Sequence, residues 1–335
     1  MDMSLPDLAQ SLRQVARAQS LRSSLDASGT ALTTGVVPDA RAAFGGRTAE
    51  LAAIDRGLSL AQSREAGLSQ AAVRATYVQT NLDSLQSLAG TKGLQALSAS
   101  GAGDLVSLGS FTAEARSDLD IAMSKLRGQF AGESLFAGAA TDTPALAPSE
   151  DLMVAVRTEL ALAIDQADAV TRLDAFFETP GGPFETLIWQ GDDAPAPGAP
   201  LDEGGQIDVA PLAKDQAFRD ILKGLSLAAA IDEGAVSLPQ NEQTALLGQA
   251  GSWLLGGEKG VIDLKSELGT VEQRIADAQS FETAQIAALQ TARTEMIGVD
   301  TYEEASRFAA LEAQLDALYT VTARLSALNF TRYIS

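Results

Sequence analysis

Apolar residues return every three or four positions over most of this chain, and each such stretch predicts a helix with one buried stripe. Near the C-terminus Leu264, Leu268, Val271, Ile275 and Ala278 step in this way, and after a break Phe308, Leu311, Leu315, Leu318, Thr322 and Leu325 resume the step. This is a heptad seam. Near the N-terminus Leu5, Leu8, Leu12 and Val15 open a matching helix that continues through Leu25 and Leu32. The polar residues around both seams leave each helix one narrow face to bury, and such a helix takes most of its stability from a partner.

Between the seams the same period predicts two more helices. One begins at Thr48, runs through Leu51, Ile54, Leu58, Leu68 and Leu82, and is expected to stop at Gly90. Residues 91–109 read as a glycine-punctuated surface connection, and residues 110–130 as a helix with Phe111, Leu119 and Leu126 on one side. The Thr33-Thr34-Gly35 step, Pro38 and the Gly45-Gly46 pair predict a linker. Gly256-Gly257 predicts a local interruption, and Gly298 a helix stop, with Thr301 as the next N-cap and Glu304 completing a capping box.

The texture changes in the middle. Residues 141–203 hold thirteen Asp or Glu against two Arg, a net of −11. A helix is expected within residues 151–177, a strand over residues 184–189, a second strand over 206–209, and helix again from Ala217 through Leu227. The fold class is therefore mainly α, a long coiled-coil-like helical bundle formed by the N- and C-terminal segments, with an inserted small α+β domain.

Composition narrows the function. The chain has 335 residues, only 5% of them aromatic, and a net charge of −20. Binding to nucleic acid or to an anionic membrane needs a cationic face, so neither is expected. No apolar run reaches the roughly 18 residues of a membrane span, and the first 26 residues lack the basic start and apolar block of a cleavable signal. The absence of Cys and His removes disulfides, thiol nucleophiles and His-based catalysis.

The remaining chemistry is negative. Residues 251–257 have the glycine spacing of a phosphate loop, but Gly257 stands where Lys is needed. Ser59 and Ser69 follow glycines within a helix and have no His base. Asp192, Asp193, Asp202 and Glu203 match no regular ligand spacing. Glu303 and Glu304 are adjacent on a helix and point about 100° apart. No catalytic residue, metal site or cofactor is expected.

Four segments carry a family resemblance. Leu135-Phe136-Ala137-Gly138-Ala139-Ala140-Thr141-Asp142-Thr143-Pro144 resembles the corresponding segment of the bacterial flagellar hook-associated protein 3 family, which forms the hook–filament junction within the flagellin superfamily. Leu32-Thr33-Thr34-Gly35 resembles the end of that superfamily's first helix. Ala305, Leu311, Gln314-Leu315, Ala323-Arg324-Leu325 and Leu328 resemble its last. Ile188-Trp189-Gln190-Gly191-Asp192 is similar to the segment that opens the family's insert.

The resemblance implies a layered layout. Residues 1–47 would pair with 300–335 as an inner layer through Leu5, Leu8, Leu12, Val15, Leu25 and Leu32 against Phe308, Leu311, Leu315, Leu318, Leu325 and Leu328. Residues 48–140 and 245–299 would form a rod whose core includes Leu51, Ile54, Leu58, Leu68, Leu82, Phe111, Leu119, Leu126, Leu264, Leu268, Val271 and Ile275. Residues 141–244 would be the acidic insert, and residues 298–301 a nearly collinear joint rather than a hairpin. It also implies a non-enzymatic extracellular subunit, exported unfolded. Its implied partners are further copies of itself, hook-associated protein 1, flagellin, and an export chaperone on the C-terminal helix.

Overall fold

The computed structural model describes residues 5–39, 48–196, 198–200, 206–207 and 210–334. Gly45, Gly46, Asp202, Glu203 and Val209 lie outside them. The helices are α1 (Leu5–Thr34), α2 (Thr48–Ala102), α3 (Leu105–Leu126), α4 (Ser149–Leu160), α5 (Gln166–Glu178), α6 (Gln216–Asp232), α7 (Gln240–Ile297) and α8 (Thr301–Ile334). Strands are two residues long: β1 (Gln129–Phe130) pairs antiparallel with β2 (Glu133–Ser134), and β3 (Ala199–Pro200) with β4 (Gln206–Ile207). The chain is mainly α, as its apolar period predicts.

Two units are distinguished, Ser63–Glu282 and Met1–Gln62 with Thr283–Ser335. In the first, α2 and α7 run antiparallel at close range. A Cβ on Gly251 would stand 2.8 Å from the Leu97 nitrogen and 2.9 Å from the Gly93 oxygen, and Ser100 Oγ donates to the Thr244 carbonyl at 2.9 Å. α3 packs along α6, and α4 and α5 close over α6. One apolar core runs from Leu68 and Leu82 through Phe111, Leu119, Leu126, Phe136, Phe177 and Phe218 to Leu268 and Ile275. The acidic residues of the middle segment lie mostly on its surface, while its apolar ones join that core.

Several local expectations differ from what forms. α2 continues past Gly90 to Ala102, and α7 passes through Gly256 and Gly257 unbroken. Glycines on these helices let neighbours in closely: a Cβ on Gly90 would meet the Glu258 carboxylate, one on Gly93 the Gly251 carbonyl at 3.1 Å, and one on Gly257 the Ala217 carbonyl at 2.8 Å. Residues 184–188 form a π-helical turn, not a strand, and Trp189 N–H donates to the Phe184 carbonyl at 2.9 Å. That turn buries Phe184 and Ile188 and leaves Leu187 exposed. α3 begins at Leu105, capped by Asp104. The cap of α8 is Asp300, whose carboxylate accepts from the N–H groups of Tyr302 and Glu303, so Thr301 is already helical.

The second unit contains α1, α8, the start of α2 and the end of α7. Gly35 takes φ +71° just past α1, a left-handed stop that a side chain would strain. From there Val36 pairs with Gly298 in an antiparallel bridge. Val37 N–H donates to the Ile297 carbonyl at 2.9 Å and Val299 N–H to the Gly35 carbonyl at 3.0 Å. The turn after α1 is thus tied to the joint between α7 and α8. α8 then packs along α1.

Candidate assembly interface

α1 and α8 lie antiparallel, because Ser28 and Gly29 meet Glu304 and Phe308 while Arg22 meets Tyr319. Gly29 lets the Phe308 ring approach to where a Cβ would stand 3.4 Å from Cε2. The Arg22 guanidinium lies 5.5 Å from the Tyr319 ring centroid, a contact the ring quadrupole favours. Ser28 and Ala31 are buried in this seam.

Little else is buried there. Among the described residues of this unit only Ser28, Ala31, Ala61 and Ile297 are closed to solvent. Leu25, Leu32, Phe308, Leu311, Leu315 and Leu318 are half-buried, and Leu12 and Val15 are 61% and 55% exposed. Leu5, Leu8, Leu325 and Leu328 lie on α1 and α8, with side chains outside those described. Two helices cover only one flank of each other, so each seam keeps an apolar margin in water. A third surface is needed to close it.

The residues predicted for the rod divide along the chain. Leu68, Leu82, Phe111, Leu119, Leu126, Leu268 and Ile275 are buried, while Leu51, Ile54, Leu58, Leu264 and Val271 are half-buried. Near the terminal helices α2 and α7 are held at their margins, with Leu289 against Gly57 and Arg293 Nε on Asp55 Oδ1 at 2.9 Å.

The segment from Leu135 to Pro144 is a buried corner. Leu135, Phe136 and Ala137 are buried, and the Phe136 ring meets Phe218 edge-on with centroids 6.0 Å apart. The Ala137 carbonyl accepts from Asp192 N–H at 2.9 Å and the Phe136 carbonyl from Ala213 N–H at 2.9 Å. Gly138 takes φ +61° with the Asp192 carbonyl pressed against it, so no side chain fits. The motif pins the loop around Asp192 to the core. Asp192 caps that loop by accepting from Ala194 N–H.

Periodicity alone misses Gly29, Ser28, Arg22 and the Val36–Gly298 bridge. A glycine in mid-helix is the one available signal, since it weakens a helix unless something must come close.

Residues 258–334 match the family model of the bacterial flagellin C-terminal helical region. The match covers the last forty residues of α7 and all of α8, and it supports the flagellin superfamily. No curated protein matches the chain.

Proposed function

We propose that this chain is a structural, non-enzymatic subunit of the bacterial flagellum that joins hook to filament and is incorporated through its terminal helices. One observation carries the flagellar role: the region that matches the flagellin C-terminal helical family ends in a helix whose apolar seam is only half covered by α1. An apolar side chain taken fully from water stabilises by about 1.5–3 kcal/mol. Ordering the helices offsets much of that in the monomer, so the margin left on α1 and α8 is energy available only on assembly.

The Leu135–Pro144 corner and the Trp189–Asp192 segment support the junction over the filament, through their likeness to the hook-associated protein 3 family. The subunit would leave the cell unfolded, held beforehand by a chaperone on α8. It would then contact copies of itself, hook-associated protein 1 and flagellin. A deletion strain tests this: flagellin secreted into the medium without filaments supports the junction, and loss of flagellin itself identifies a filament subunit. Intact motility would contradict both.

A further inference from the structure

Seven-residue steps run along both long helices. On α2 they pass through Ile54, Ala61, Leu68, Ala75, Leu82 and Ala89, and on α7 through Val261, Leu268, Ile275, Glu282, Leu289 and Met296. Every member of these rows is apolar except Glu282, which is 3% exposed. The neighbouring row on α7 runs Leu264, Val271, Ala278, Gln285 and Ala292, and that on α2 runs Leu51, Leu58, Glu65 and Ala72. Glu65, Glu282 and Gln285 therefore interrupt an apolar seam.

This polar layer is poorly compensated. Arg64 Nη1 stands 3.7 Å from Glu282 Oε1, beyond hydrogen-bond length, and Glu282 Oε2 is buried with no hydrogen-bond partner among the described residues. Gln285 Oε1 is buried in the same state. A buried carboxylate matched so loosely loses more in hydration than its cation supplies, and an unpartnered buried oxygen adds its own cost.

Packing differs on either side of the layer. Toward the core, Leu68, Ala75, Leu268 and Ile275 are closed to solvent. Away from it, Leu51, Ile54, Leu58, Leu289 and Met296 are only half-buried, and the Arg293–Asp55 ion pair is 42% and 48% exposed, so it contributes little. Arg64 and Glu282 belong to the Ser63–Glu282 unit and stand at its two edges in sequence. Cooperative unfolding spreads through contiguous buried contacts, and segments with few of them open separately. We propose that Arg64 and Glu282 mark an opening point, at which residues 48–62 of α2 and 283–297 of α7 part while residues 68–126 and 210–275 stay folded. This opening belongs to the isolated chain and does not require a flagellum.

Hydrogen exchange of the purified full chain, followed by mass spectrometry, tests this. Residues 48–62 and 283–297 are expected to exchange together, at least about tenfold faster than residues 68–89 and 261–275. Arg64→Leu with Glu282→Leu restores an apolar step at residue 282 and should slow the outer segments by about tenfold, with the inner ones unchanged. Glu282→Leu alone, in which Arg64 keeps its access to water, is a second variant should the double one aggregate. Equal protection on both sides of the layer in the wild type overturns the opening point, as do outer segments that exchange no more slowly in a folded Leu variant. Fast exchange confined to α1 and α8 also overturns it, and leaves the flagellar role standing.

Discussion

Phe308 of α8 lies over Gly29 of α1, with its Cε2 3.4 Å from where a Cβ on residue 29 would stand. Alanine fits at that distance and favours the helix, so Gly29→Ala should leave assembly intact. Gly29→Leu must push Phe308 out of the seam. We expect Gly29→Leu to leave the melting of residues 63–282 unchanged and to abolish incorporation into flagella, checked by calorimetry and by immunoblots of isolated flagella.

Glycines inside the long helices behave oppositely according to what faces them. Gly251→Ala forces a Cβ against backbone atoms of Leu97 and Gly93 and should cost about 1–3 kcal/mol. Gly67, also within a helix, has nothing within 4 Å, and Gly67→Ala should stabilise by about 0.5–1 kcal/mol. Urea titration of both variants checks the contrast.

This contrast marks how far the sequence can be read. The terminal seams are legible because a heptad pattern fixes both the helix and its sticky face, as at Phe308, Leu311 and Leu315. Gly90 and Gly257 are not, since a glycine that ends a helix and one that admits a close neighbour, the Glu258 carboxylate at Gly90 or the Ala217 backbone at Gly257, look alike until the neighbour is known. Residues 184–188 fail for a related reason: a short apolar run satisfies a strand or a buried turn equally. The acidic middle reads as a separate domain because its charge dominates the composition, while Phe177, Phe184 and Phe218 tie it to the core. At the joint, Asp300 and Thr301 both suit a cap, and only the N–H groups of Tyr302 and Glu303 choose between them.

Lys223 is closed to solvent, its ammonium 4.4 Å from the Trp253 ring centroid and paired with Asp174 at 2.8 Å and with Glu178. Both carboxylates remain partly hydrated, at 42% and 43% exposed, so they tolerate loss of the cation better than buried ones. We expect Lys223→Ala to cost about 2–3 kcal/mol and Lys223→Met distinctly less, because methionine keeps most of the stem packing. Equal losses in urea titration would place the stability in the charge alone.

Burial pushes the carboxyl of Asp220 above its ordinary value of 3.8, against the opposing pull of Gln216 and Lys223. A carboxyl raised on folding favours the folded state fully below its unfolded pKa, and that contribution is lost as pH rises through the folded value. Asp220→Asn should therefore match the wild type near pH 3 and gain on it as pH rises above 4, when melting temperatures are compared across that range. A gap that narrows with rising pH contradicts the assignment.

The central claim is that the exposed margin of the terminal helices serves assembly and not the monomer. Leu12 and Val15 test it directly, being 61% and 55% exposed. With Leu12→Asn and Val15→Asn combined, the subunit should melt at the wild-type temperature, reach the culture medium, and be missing from isolated flagella by immunoblot. Incorporation at the wild-type level with normal motility would contradict the account.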